Sequence, residues 1–164
     1  MSEHKDDIAN ERRQFITFRS GVQEFGADIM AIREIRGWTQ TTPLPHTPDY
    51  VRGVINLRGV VLPVVDLKAR LGLGITDPNP KDVIVVVQAG LRTIGLLVDA
   101  VSDILTVTAS EIQPTPDLAR ETEMAFVEGI AVLAERMVTI LSMDKMVASL
   151  VGVPLSPDMP AQAA

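Results

Sequence analysis

Val83-Ile84-Val85-Val86-Val87-Gln88-Ala89-Gly90-Leu91-Arg92-Thr93-Ile94-Gly95-Leu96-Leu97-Val98-Asp99-Ala100-Val101 decides the fold, because 69 positions earlier the chain carries the same skeleton. Phe15 to Phe18 match Ile84 to Val87, and Gly21 and Gly26 match Gly90 and Gly95. Ile29, Ala31, Ile32, Glu34 and Ile35 match Val98, Ala100, Val101, Asp103 and Ile104. Downstream, Pro48-Asp49 recurs as Pro116-Asp117, and Val51-x-Gly53-Val54-x-x-Leu57 recurs 76 positions later as Val127-x-Gly129-Ile130-x-x-Leu133. Small and apolar positions that coincide in order imply two structurally similar halves.

Within the quoted stretch, Val83 to Val87 shows no alternation of apolar and polar residues. Both faces of such a strand should meet apolar surroundings, one inside its own barrel and one against the other half, so that the two barrels share a core; the alternative is an ordinary strand buried under a helix or loop. Further short, β-branched runs bounded by Gly, Pro or Asp predict strands over 14–19, 53–57, 60–65, 83–88, 93–98 and 137–141. Gly21 and Gly90 sit where strands reverse and supply positive φ there. Helices are few: Asp66 reads as the cap of a short helix over 67–71 and Asp144 as the cap of another over 145–150. Six or more strands in such a length, with an aliphatic core, predict a mainly β fold of barrels or a sandwich. Thr76-Asp77-Pro78-Asn79-Pro80 is the natural connector, since two prolines forbid both helix and central strand. That divides one domain over 14–150 into subdomains near 14–76 and 81–150, with strand exchange between them allowed. Residues 1–13 are charged and aperiodic and 151–164 are rich in proline and small residues, so both ends are expected to be flexible.

Composition narrows the function. A chain of 164 residues can bury a core without staples, and the absence of Cys removes disulfides, thiolate nucleophiles and Cys-ligated zinc together. A net charge of −6 opposes binding to a phosphate backbone. No apolar run approaches the roughly 20 residues of a membrane helix, and the chain reads as soluble and cytoplasmic.

A search for chemistry finds little. The two histidines are His4, in the N-terminal segment, and His46, in Pro43-Leu44-Pro45-His46-Thr47-Pro48, so no two-histidine metal site is offered. Asp66 and Asp144 fit helix caps, and Asp99 and Asp103 follow a strand end, rather than forming an acid and base pair. Phosphate-binding glycine motifs are missing. The expectation is a protein that is not an enzyme, with no cofactor and no metal. What stands out is charge in apolar context: Glu34 and Arg36 between Ile32, Ile35 and Trp38, and Arg58 at the turn Asn56-Leu57-Arg58-Gly59. An ion pair between Glu34 and Arg58 would satisfy both groups; the alternative is that each faces solvent alone.

These residues also carry a resemblance. Glu34-Ile35-Arg36-Gly37-Trp38, then Pro45 through Gly59, then Val61-Leu62-Pro63-Val64-Val65-Asp66-Leu67 resemble the CheW family of chemotaxis coupling proteins. The match continues through Gly95 to Leu105 and Gly129-Ile130 to Asp144-Lys145-Met146, covering roughly residues 14 to 150. One departure is Ser142, where the family more often has an acidic or amide residue before the last helix.

The resemblance implies a mainly β fold of two SH3-like five-stranded barrels around a shared aliphatic core, and a non-enzymatic scaffold bridging chemoreceptors to the regulatory domain of the histidine kinase CheA, recruited from the cytoplasm to membrane-associated receptor arrays. It implies that the receptor's cytoplasmic hairpin tip lies in a groove between the barrels. Ile32, Glu34, Arg58, Val101 and Ile104 become candidate receptor-groove residues, with Gly53, Asn56 and Gly59 as structural positions near them. Arg58 would act by holding the groove through Glu34. The kinase contact would run strand to strand between barrels, with Val83 as its candidate. A coupling protein of a non-flagellar system such as twitching motility is the alternative. An enzyme with a substrate between the barrels, or a small nucleic-acid-binding barrel, fits less well.

Overall fold

A computed structural model describes residues 11–114 and 126–150. Both predicted flexible ends, apart from residues 11–13, and the Pro116-Asp117 echo lie outside them. Eleven strands follow in chain order: β1 Arg12–Ser20, β2 Gln23–Asp28, β3 Ile32–Gly37, β4 Val51–Leu57, β5 Val60–Asp66, β6 Val83–Ala89, β7 Arg92–Val98, β8 Ala100–Thr108, β9 Ile112–Gln113, β10 Val127–Leu133 and β11 Arg136–Leu141. Two short helices, α1 Leu67–Arg70 and α2 Met143–Ala148, follow β5 and β11.

The strands form a six-stranded sheet, β8-β1-β2-β11-β10-β9, and a five-stranded sheet, β3-β6-β7-β5-β4. The sequence echo maps β1, β2, β3, β4 and β5 onto β6, β7, β8, β10 and β11. Under that mapping the two sheet orders are identical, apart from the added two-residue β9. The halves are also reciprocally exchanged. Hairpin β1-β2 pairs with β8 and with β11 from the second half, and hairpin β6-β7 pairs with β3 and with β5 from the first. Both junctions between β2 and β11 and between β7 and β5 are parallel, the other named strand pairs antiparallel.

The glycines of the echo hold equivalent places. Gly21 (φ 66°) and Gly90 (φ 63°) turn the two exchanged hairpins. Gly53 and Gly129 sit at register shifts in β4 and β10, where an added Cβ would strike the carbonyl of Thr42 or of Gln113. Each is therefore required by a close backbone approach.

Three apolar clusters match the reading of β6. Ile84 and Val86 pack with Ile55, Leu57, Leu62, Val64 and Leu97 inside the five-stranded barrel. Phe15, Leu105, Val107, Ala131, Val138 and Ile140 fill the six-stranded one. Between the two, Val85 and Val87 join Phe18, Phe25, Val65, Leu96, Phe126, Leu141 and Met146 in one shared core.

The polar residues at the helix starts behave differently from the local expectation. Asp66 stands at the first helix boundary, but its buried carboxylate leaves the helix uncapped and accepts from the backbone N–H and the hydroxyl of Thr76, both at 2.7 Å. The connector's two amide and hydroxyl donors win over the solvent-competing cap. At α2 the cap is Ser142, whose Oγ accepts from Lys145 N at 3.3 Å, and Asp144 lies inside the first turn. Asp103 belongs to the interior of β8 rather than to a strand end. β1 begins at Arg12, because Arg13 is tied to Asp28 and Glu128, each at 3.3 Å, and lies over the Phe15 ring.

Candidate partner-binding site

The ion pair forms. A register shift between Ile32 and Glu34 turns the Glu34 side chain to the rim of the five-stranded barrel. Opposite it, the β4–β5 turn holds Arg58 at φ 52° and Gly59 at φ 87°, and the Asn56 side chain closes the turn by accepting from Gly59 N at 2.8 Å. This explains Asn56-Leu57-Arg58-Gly59 as a unit: a side-chain acceptor, two left-handed residues and a guanidinium aimed across the rim. Arg58 Nη1 donates to Glu34 Oε2 at 3.1 Å, and Nη2 lies 3.0 Å from Oε1. Only the first contact has hydrogen-bond alignment; Oε1 has no aligned donor, and Arg36 stands 3.8 Å away. The Arg58 hydrogen bond holds the Glu34 carboxyl below its ordinary range, against a smaller opposing effect of desolvation.

Beside the pair lies an open cleft of about 350 Å³ lined by Arg33, Glu34, Leu57, Arg58, Val60, Leu62, Val86 and Thr93. Val60, 42% exposed, joins Leu57, Leu62 and Val86 in that lining, which makes the cleft apolar as well as charged. Gly53, at φ 134°, lies further back along β4, where the strand passes the Thr42 carbonyl and the Thr42–Val54 backbone pair is bonded in both directions at 2.9 Å.

The remaining candidates lie elsewhere. Ile32 pairs with Val87 and Val101 with Phe18, and both pack partly buried against the shared core. Ile104, opposite Ile16 on β8, is 56% exposed. Glu34 and Arg58 are thus brought into contact on one barrel, while Val101 and Ile104 belong to the other. Val83 pairs with Gly37 and Val98. Its strand is flanked on both sides by β3 and β7 and offers no free strand edge. A second open cleft, of about 330 Å³, has Arg13, Asp28, Met30, Ala31, Gln88, Gly90, Glu128 and Met143 among its lining residues, and Met30 is 82% exposed at its rim.

The sequence reading missed a charge cluster on the six-stranded barrel. Arg136 donates to Glu24 (2.9 and 2.6 Å), to Asp103 (3.2 and 2.7 Å) and to Thr17 Oγ1 at 3.3 Å. Its hydrogen bonds hold both carboxyls below their ordinary ranges and raise the guanidinium further. The signal was present in the repeat, which sets Asp103 in the place of Glu34. In the matching turn Ala134, at φ 45°, takes the place of Arg58, and the arginine has moved two residues on.

Comparison with known proteins accords with this geometry. The model of the CheW-like domain matches residues 14–151. The chain is 52% identical over 144 residues to the chemotaxis protein CheW of Rhizobium meliloti, covering 88% of this chain and 93% of that one. It is 36% identical over 137 residues to the chemotaxis protein CheW of Klebsiella aerogenes, covering 84% and 82%. The protein FrzA of Myxococcus xanthus is 32% identical over 108 residues, 66% of this chain and 68% of that one. Among solved structures, the scaffolding protein TtCheW of Thermoanaerobacter tengcongensis superposes with a TM-score of 0.74 at 32% identity, over 81% of this chain and 90% of that one. With its doubled barrel, its Glu34–Arg58 rim and a family match that runs from β1 to the end of α2, the chain belongs to the CheW-like domain family.

Proposed function

We propose that this chain is a non-enzymatic scaffold of chemotaxis signalling that couples chemoreceptors to the histidine kinase CheA. The observation that carries the reading is the ion-paired rim: Arg58 and Glu34 fix a left-handed turn beside an open cleft whose apolar lining is Leu57, Val60, Leu62 and Val86. Apolar surface presented on a fixed frame suits the side of a helical hairpin, whose aliphatic ridge it can bury. The mechanism is geometric. Two partners held at once on barrels that share a core have their spacing set by that core, and the binding of one is coupled to the state of the other.

In this reading Ile32, Glu34, Arg58, Val101 and Ile104 contact or shape the receptor site, Val83 contributes to the kinase side, and the protein works at membrane-associated arrays. Among the described residues no helix is long and apolar enough to cross a membrane, so recruitment there would run through partners. The similarity to FrzA favours, as a second reading, the same coupling role in a non-flagellar system.

The test is calorimetric titration of the chain with the regulatory domain of a CheA kinase from the same genome, then with a receptor-tip fragment. One-to-one binding to the kinase domain that is lost in Val83→Lys, and receptor binding that is lost in Ile32→Asp or Val101→Asp with the cooperative melt retained, supports the role. Unchanged receptor binding in both Asp variants removes the assignment of the groove.

A further inference from the structure

Every contact that joins the two halves is non-covalent except one. The half ending at α1 and the half beginning at β6 meet through the β1·β8, β3·β6, β2·β11 and β5·β7 ladders and through the shared core. The single covalent crossing is the segment 71–82. Thr76 is buried against Asp66 at one end of it, and Asp82 is buried at the other, where its backbone and side chain close a turn with Asn79. Asp77, Asn79, Pro80 and Lys81 between these anchors are exposed and Pro78 partly so. Nothing in the ladders or the core records which copy of the chain a half belongs to. A first half meets the same registers and the same apolar partners whether the second half is its own or another's.

We propose that the connector 77–81 is a hinge across which two copies of this chain exchange whole halves, giving a dimer whose two paired bodies repeat the barrels of the single chain. The fold already performs this exchange internally, since each half lends its first hairpin to the other's barrel. The exchanged dimer adds only a connector that runs between bodies instead of returning to its own, and two prolines stiffen that run. The balance between the forms is set by the effective concentration that the short connector imposes, on the order of 1 mM. A single chain therefore dominates when folding occurs in dilute solution, and the dimer grows in when the chain folds at concentrations near that value.

The absence of Cys from the chain allows a direct test. Gln14 on β1 and Thr106 on β8 are exposed antiparallel partners from opposite halves, and such pairs have Cα atoms about 4.5–5.5 Å apart, within reach of a disulfide. The Gln14→Cys/Thr106→Cys double variant is unfolded in reductant and refolded at about 1 μM or about 1 mM, the latter matching the effective concentration. It is then oxidised, sized by light scattering and run on a denaturing gel without reductant. Dilute refolding should give a monomer with an internal disulfide. Concentrated refolding should give about half of the chain as a dimer that stays covalent on the gel and collapses to monomer when reduced. Gln14→Cys and Thr106→Cys alone, treated identically, should give the same dimer by light scattering at high concentration but chains that separate on the unreduced gel. A monomer at both concentrations, or a dimer of the double variant whose chains separate on the unreduced gel, overturns the proposal.

Discussion

Replacing Arg136 by Met keeps the aliphatic stem and removes the charge that joins β11 to β2 and β8. Glu24 is the better buried of the two partners, its side chain 19% exposed, while that of Asp103 is 51% exposed. A hydrogen bond from a charged group to a buried carboxylate contributes about 1.5–3 kcal/mol, and a solvent-facing pair about 0–1. With Arg136 itself 34% exposed, screening brings the sum to about 2 kcal/mol. That shifts the urea midpoint by roughly 1 M for a domain of this size. The pH dependence separates charge from packing. The hydrogen bonds of Arg136 lower the carboxyls of Glu24 and Asp103 below their ordinary values of 4.5 and 3.8. Groups with lowered folded pKa stabilise fully above the ordinary values and lose that contribution as pH falls through the folded ones. The gap between the native protein and Arg136→Met, measured by urea unfolding, should therefore be about 2 kcal/mol near neutrality and shrink steadily as the pH is lowered below the ordinary carboxylate range. A gap of the same size at both ends would refute the electrostatic account and leave the arginine stem as the stabilising element.

Gly53→Ala should lower stability by about 3 kcal/mol in chemical unfolding, because its φ of 134° and the Thr42 carbonyl both oppose a Cβ, whereas Gly59→Ala, at φ 87° with open space around it, should cost only about 1. Asp66→Ala leaves the buried Thr76 amide without its acceptor, for a loss of about 2–4 kcal/mol, and hydrogen exchange should show Thr76 deprotected before the strands of either barrel. Arg70 lies 4.8 Å from the Tyr50 ring centre and 4.9 Å from that of Phe126, so Arg70→Ala should cost about 1–2 kcal/mol in urea titration, with Arg70→Lys recovering part of it.

The parts of the fold that were legible came from patterns with a direct physical cause. Val83 to Val87 has no polar face, and the strand divides its side chains between a barrel interior and the shared core. Gly21, Gly53, Gly90 and Gly129 mark turns or close approaches, which no other residue accommodates as readily. β8 was hidden because most of its residues are exposed and its apolar positions do not alternate. β2 was hidden because Glu24, Gly26 and Asp28 interrupt it, each placed by a tertiary contact. The cap at Asp66 failed for the same reason, as its carboxylate is drawn to Thr76 across ten positions of chain, whereas Asp144 yielded to the local cap Ser142. The Glu34–Arg58 pair was readable because two charges in apolar context needed each other. The Arg136 cluster draws on β1, β2, β8 and β11, and only the repeat pointed to Asp103.

The reciprocal loan of hairpins also governs the order in which the protein can be made. As the chain leaves the ribosome, β1 and β2 emerge well before their neighbours β8 and β11, which belong to the second half. The outer edges of that first hairpin stay unpaired through most of translation, and its sequence-distant ladders impose the slow closure typical of non-local β folds. The five-stranded sheet has all its strands once β7 is made, but the shared core it packs against still lacks Phe126, Leu141 and Met146, and the six-stranded sheet waits for β11. Folding should accordingly be a single late event, and truncation anywhere before β11 should leave exposed strand edges, with aggregation rather than a half-sized product as the outcome.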